Sequence, residues 1–350
     1  MEQTRRAARR PTISDVATAA GVSRAAVSKV LRDAYGVSEE MRSRVHRAIE
    51  ELDYRPSTAA RALRGTTSTI GVMLPLFRTS FFDDVLAGAV EELETSSYQL
   101  ILAPVDSAHA SGRRALEALS DRQVDGIVAL SPLVEPTWLE SFATRTALVE
   151  LGRHDPSARY DTVVGDDVRG AELVMEHLLA LGHRRVLHVT HHDPDLAHLS
   201  RTPPALRRAT YEKAMTNAGL AEHIEVLETS FDDRRAAEAL RVALEAGSRP
   251  SAVFAGNDDA ALGVLRTLAE AGGRHGLSPR TVSVCGYDDT KMASHPLIGL
   301  TSVDQDGAAM GRLATRMLLE RIAGREQPRH EVIQPRLVVR SSSREVDPGA

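Results

Sequence analysis

Cysteine is nearly absent: Cys285 stands alone in 350 residues. That excludes an intrachain disulfide and any zinc site built on paired cysteines. No apolar run is long enough to cross a bilayer. The basic N-terminus, Met1 to Arg10, is not followed by the apolar stretch of a secretory signal. These absences point to the cytoplasm and away from a membrane. There is no internal repeat and no low-complexity segment. The chain also lacks G-x-S-x-G, Walker A, H-E-x-x-H and G-x-G-x-x-G, so neither an enzyme nor a cofactor is expected. Gly21-Val22-Ser23 resembles a nucleophile elbow only superficially, because it joins two helical stretches.

The composition that is present is that of an ordinary globular chain, 42% hydrophobic and 26% charged, long enough for two or three units with sizeable cores. Its charge is unevenly placed. Residues 1–65 hold 13 Lys and Arg against 8 Asp and Glu, a net of +5, whereas the rest is net −10. A small basic head on a large acidic body implies a polyanionic partner for the head alone.

The head reads as three short helices. Thr12 caps the first, with Asp15 three residues on as an approximate capping box, and Val16, Ala17 and Ala20 form its apolar face. Gly21 ends it. Ser23 caps a second helix whose Val27, Val30 and Leu31 point one way. Ser38 caps a third, with Glu39 and Glu40 at the positive end of its dipole and Val45, Ile49 and Leu52 on its core face. Helix, glycine-containing turn, helix is the helix-turn-helix pattern, and the exposed Arg24 and Lys29 favour DNA over a bundle that binds nothing. Pro56 stops the third helix. Ser57 to Arg64, closed by Gly65, has the length of about two helical turns, too short to be stable alone in water. It is either a linker or a helix that forms against a partner.

From Thr69 the rhythm changes to apolar runs alternating with amphipathic stretches. Strands are expected at Ile70–Leu74, Leu100–Pro104, Gly126–Leu130, Ala147–Leu151, Val186–Val189, Ala252–Ala255 and Val282–Cys285. Helices are expected at Phe82–Ser96, Arg113–Leu119, Gly170–Leu181, Leu206–Ala218, Ala236–Glu245 and Asp258–Ala271. The alternation predicts parallel sheets covered by helices, and the number of strands predicts two α/β subdomains. Residues 341–350 read as a disordered tail.

At this point the sequence resembles the lactose-repressor (LacI) family of bacterial regulators. The residues that carry the resemblance are Thr12-Ile13-Ser14-Asp15-Val16-Ala17, Ala20-Gly21-Val22-Ser23 and Val27-Ser28-Lys29-Val30-Leu31, then the stretch through Leu63 and Gly65. In the body they are Val124-Asp125-Gly126-Ile127, His177-Leu178 with Leu181-Gly182-His183, Asn257-Asp258 with Ala261-Leu262-Gly263, and Gly286-Tyr287-Asp288-Asp289. The resemblance implies a basic arm (1–10), a helix-turn-helix domain (11–56), a hinge and linker (57–68) and a periplasmic-binding-protein-like core (69–340). The core would divide into one subdomain of about 69–165 and 305–334 and another of about 166–304 and 335–340. Two departures stand out. Ala26-Val27-Ser28-Lys29 replaces the family's usual Thr-Val-Ser-Arg, which exchanges a fork donor for a point charge, and Ser80 replaces the proline before Phe81-Phe82.

By resemblance, Ser23 to Leu31 is the recognition helix, with Arg24, Ala25 and Lys29 as base readers and Ser23 and Ser28 at phosphates, helped by Arg5, Arg6, Arg9 and Arg10. Arginine can give two hydrogen bonds to guanine O6 and N7, which specifies more than a phosphate contact. Leu63, between Arg61 and Arg64, corresponds to the leucine that wedges into the minor groove and bends DNA. The effector cleft would be lined by Phe81, Arg153, Arg207, Phe231, Asn257, Asp288 and Gln305, at strand C-terminal ends. The expected partners are operator DNA, a small-molecule effector and a second copy of the chain, since a palindrome demands two-fold symmetry. A sugar or sugar derivative is the expected effector, and a purine-like co-effector the alternative. Repression is favoured over activation. No leucine heptads follow Arg340, so a dimer is expected without a tetramerising tail. An extracytoplasmic sugar-binding protein would lack the basic head, and a DNA-bending architectural protein would not need the cleft. His188, His191, His192, Asp193, Asp195 and His198 read as a surface loop rather than a metal site.

Overall fold

In the computed structural model, residues 11–31, 34–54, 66–75, 80–105, 109–155, 157–191, 201–230, 232–272 and 277–346 are described. The chain divides into two compact units, one up to Thr67 and one from Ser68.

In the first unit α1 (Ile13–Ala20), α2 (Arg24–Val30) and α3 (Glu39–Glu51) close around Val16, Ala17, Ala20, Val27, Val30, Val45, Ala48 and Tyr54. Each helix starts at a hydroxyl cap. Thr12 and Asp15 form a complete capping box, with the Thr12 backbone N–H donating to Asp15 Oδ2 at 2.7 Å. Gly21 adopts the left-handed conformation (φ 64°) that lets the chain turn from α1 into α2.

The second unit runs β1 (Thr69–Pro75), α4 (Phe81–Leu93), β2 (Gln99–Val105), α5 (His109–Asp121), β3 (Gly126–Leu130), α6 (Pro136–Phe142), β4 (Ala147–Leu151) and β5 (Asp161–Gly165). It continues with α7 (Asp167–Ala180), β6 (Val186–His191), α8 (Pro203–Asn217), β7 (Glu225–Thr229), α9 (Asp233–Glu245), β8 (Ala252–Ala255), α10 (Asp258–Glu270), β9 (Ser283–Tyr287) and β10 (Thr301–Asp304). The last elements are α11 (Gly307–Ile322), β11 (His330–Ile333) and β12 (Arg336–Val338). The strands form two six-stranded sheets, ordered β11-β5-β4-β3-β1-β2 and β12-β10-β9-β8-β6-β7. All recorded pairings are parallel except β12 against β10. The expected class, a helical head with two parallel-sheet α/β subdomains, is the class observed.

The chain crosses between the sheets three times, after β5, after β10 and after β11. Helix α11 therefore returns to cover the first sheet, burying Met310, Ala314, Met317 and Leu318 against Ile70, Val128 and Val149. It packs close to α4 because two glycines allow it: a Cβ at Gly88 would land on the Ala308 carbonyl oxygen, and one at Gly311 on that of Val85.

The disordered tail expected over 341–350 is corrected for 341–346, which are hydrogen-bonded to the second sheet; 347–350 lie outside the described residues. Ser342 is buried and its Oγ donates to Val284 O at 2.6 Å, while the Val284 N–H donates to Ser342 O at 2.8 Å. A polar run misleads here because its hydroxyls and backbone satisfy the ends of β9 and β10.

Candidate functional site

On the first unit, Ser23 caps α2 by accepting from the Ala26 N–H at 3.1 Å, so its hydroxyl oxygen shapes the helix start. Val27 and Val30 turn inward. Arg24, Ala25 and Lys29 are exposed, and Ser28 is half-buried. The outer face of α2 thus presents a guanidinium, a methyl and an ammonium. Leu63 and the arm arginines Arg5, Arg6, Arg9 and Arg10 lie outside the described residues.

In the second unit, parallel order sets the C-terminal ends of β6, β8 and β9 along one edge. Three groups gather there: Gly256 and Asn257 after β8, Tyr287 and Asp288 at the end of β9, and Arg207 from α8. Arg207 is buried, and its Nε donates to Asp167 Oδ1 at 2.7 Å and its Nη1 to Gly256 O at 2.6 Å. Its guanidinium lies 3.5 Å over the Tyr287 ring. Burial alone would raise the Asp167 carboxyl, but the Arg207 charge and the hydrogen bonds of His154 and Arg207 outweigh it and hold Asp167 below the usual carboxylate range.

Gln305 Nε2 donates to Asp288 Oδ1 at 2.6 Å, at the crossing from β10 to α11. Asp288 carries a φ of 106°, a strained backbone for a residue with a side chain. Burial pushes its carboxyl well above the ordinary range, against the pull of Arg207. Asn257 is buried and caps α10, accepting from the Ala260 N–H at 2.9 Å.

Arg207, Asn257, Asp288 and Gln305 therefore come together. Arg153 is also buried, but its fork is committed to protein: Nη1 donates to Pro132 O and Val134 O, and Nε to Asp155. Phe81 packs at the start of α4 within the first core, its ring beside Gly307 and 5.9 Å from that of Phe82. Phe231 lies outside the described residues.

Sequence reasoning missed His154, Asp167 and Tyr287. His154 Nε2 meets the second oxygen of Asp167 at 2.8 Å. A signal was present for Tyr287, which sits inside Gly286-Tyr287-Asp288-Asp289. The surface loop expected from His188 onward is also corrected in part. His188 and His191 belong to β6, and His188 is wholly buried between Tyr211 and Phe254, its Nδ1 donating to Phe254 O at 2.9 Å. Burial pushes its imidazole down to about 4. The remaining members, His192, Asp193, Asp195 and His198, lie outside the described residues. Among the described residues no cluster has the makings of a metal site, and no helix is long and apolar enough to cross a membrane.

A three-helix helix-turn-helix head and, as a separate unit, a two-sheet body with a polar constellation at its strand ends together define a DNA-binding regulator controlled by a small molecule. Residues 12–57 match the family model for bacterial regulatory proteins of the lacI family, and residues 175–343 match that for a periplasmic binding protein-like domain. The chain is 31% identical to the HTH-type transcriptional repressor PurR of Vibrio atlanticus (strain LGP32), over 95% of this chain and 98% of that protein. It is 32% identical to the ribose operon repressor of Escherichia coli (strain K12), over 89% and 93%. It also superposes on the lac repressor dimer bound to operator and the anti-inducer ONPF, with a TM-score of 0.81, 26% identity and coverage of 96% and 100%. The chain belongs to the lacI family of bacterial regulatory proteins and is a transcriptional repressor.

Proposed function

We propose that the chain represses transcription as a homodimer on a palindromic operator, in the cytoplasm, and releases or tightens its grip when an uncharged, hydroxyl-rich molecule of the sugar class occupies the core. The observation that carries the effector reading is the constellation of Arg207, Asp167, Tyr287, Asp288 and Gln305. It offers a matched guanidinium–carboxylate pair, an aromatic ring and a buried carboxyl, pushed above the ordinary range by burial, that accepts from Gln305. Polar groups already paired with one another suit hydroxyls, which both donate and accept. The buried Arg153 and Arg207 are already matched by Asp155 and Asp167, which favours an uncharged ligand over a phosphorylated one. The likeness to a ribose operon repressor supports the same class.

On the head, Arg24 is the principal base reader, aimed at guanine, with Ala25 toward a thymine methyl and Lys29 completing the face. Ser23 and Ser28 serve the phosphates. Leu63, in the hinge 57–64, is assigned the minor-groove wedge. A hinge this short folds only against its mate and the DNA.

Selection from a randomised operator library tests the reading. Wild type should return a palindrome. Arg24→Ala should weaken binding by about 1–3 kcal/mol and relax preference at one position in each half-site. An unchanged motif for that variant would remove Arg24 from the base-reading role. Titrating the selected operator complex with neutral pentoses and hexoses, and with their phosphates, separates the two effector charge classes.

A further inference from the structure

His154 ties the two halves of the core together at two places, Asp167 just past the crossing from β5 and Arg201 ahead of α8. It follows β4 in the first half, three residues past Leu151. Its backbone N–H donates to Arg201 O at 3.1 Å, and its carbonyl accepts from Arg201 Nη1 at 3.2 Å. Arg201 leads into α8 of the second half. The His154 ring donates through Nε2 to Asp167 Oδ2 at 2.8 Å, while the other oxygen of that carboxylate takes Arg207 Nε at 2.7 Å. The Asp167 side chain is only 2% exposed and that of His154 21%. One buried carboxylate is therefore shared by a donor from each half.

This sharing couples two events that would otherwise be separate. If the halves part at this edge, Asp167 loses the His154 donor and keeps only Arg207. A buried carboxylate oxygen without a donor is costly, and the direct remedy is to admit water by opening further. Conversely, any ligand that draws on Arg207 pulls on the carboxylate that holds His154. We propose that His154 is a positioning residue that holds the cleft shut and sets Arg207 for the effector, so that effector occupancy and closure are exchanged through Asp167. The proposal rests on the reading of this cleft as the effector site. It asks of the effector only a different affinity for the open and shut forms.

The test uses the full chain without any ligand and compares wild type with His154→Gln and His154→Met. Glutamine retains an Nε2 donor at similar reach, whereas methionine fills the volume with no donor. Hydrogen exchange is followed by mass spectrometry in peptides covering 150–155, 201–210, 254–258 and 285–288, with 126–130 in the middle of the first sheet as the internal standard. Thermal melting confirms that each variant is folded. The methionine variant should exchange several-fold faster in the cleft peptides of both halves and unchanged in 126–130, while the glutamine variant keeps wild-type rates. Wild-type exchange in the methionine variant would overturn the proposal, as would equal acceleration in both variants. Because no effector is present, failure of the sugar titration would leave this result standing and overturn only the ligand class.

Discussion

Asp258, the first residue of α10, is almost wholly buried and receives three hydrogen bonds, from Ser302 Oγ at 2.6 Å, Thr290 N–H at 2.7 Å and Thr290 Oγ1 at 3.0 Å. It knots the loops after β8 and β9 to β10. Burial nevertheless dominates those bonds and pushes its carboxyl from 3.8 to about 7. Between those values the unfolded chain has lost a proton that the folded chain keeps, so this residue's stabilisation is complete below the lower value and disappears as pH rises through the upper one. The slope approaches about 1.4 kcal/mol per pH unit at its steepest. Asp258→Asn keeps a carbonyl oxygen for Thr290 and cannot ionise. Denaturant unfolding from pH 4 to 7 should show the wild type losing stability relative to the variant as pH rises, and parallel profiles would refute the assignment. Asn257 and Asp258 were legible as a pair in the sequence, and so were Arg207, Asp288 and Gln305 as a set. His154 and Asp167 were not, because a polar residue after a strand has no periodicity, and their meaning lies in a contact between halves.

The segment 341–346 is short, yet it seals one end of the second sheet. Besides the Ser342 bonds to Val284, the Thr301 N–H donates to Ser342 Oγ at 2.8 Å, and the Arg344 N–H to Ser283 Oγ at 3.0 Å. The Val346 N–H reaches Leu181 O at 3.0 Å. Beneath it lies Cys285, fully buried, its thiol pushed up to about 12 by burial, with Ser343 as a hydrogen-bond partner. Truncation after Arg340 should make this single thiol react with an aromatic disulfide reagent in native buffer, whereas in the full chain it should react only on unfolding. Equal rates in the two would show that the segment covers nothing. Several elements escaped the sequence for related reasons. Strands β11 and β12 are four and three residues long and sit at sheet edges, without a buried apolar run to mark them. Helix α11 opens on Gly307 and carries Gly311, residues that propensity counts against a helix. They make sense only once α4 lies alongside. The long apolar strands and the amphipathic helices between them were legible because both faces of a parallel sheet are buried.

At the scale of the molecule, the three crossings mean that neither half of the core is a continuous stretch of chain. The first sheet gains its β11 edge, and the cover of α11 over Ile70, Val128 and Val149, only from residues 307–333. A fragment spanning 69–165 should therefore fail to unfold cooperatively by circular dichroism, and addition of 166–346 in trans should restore a transition. A cooperative melt of the fragment alone would show that α11 and β11 are dispensable. During synthesis the consequence is one of order. The sheet made first waits for part of its cover while β6 to β10 of the second half are translated, because α11 follows them in the chain. The halves must mature together, with the first exposed to aggregation or chaperone capture in the meantime. A premature stop anywhere before α11 would cost the cell both halves rather than one.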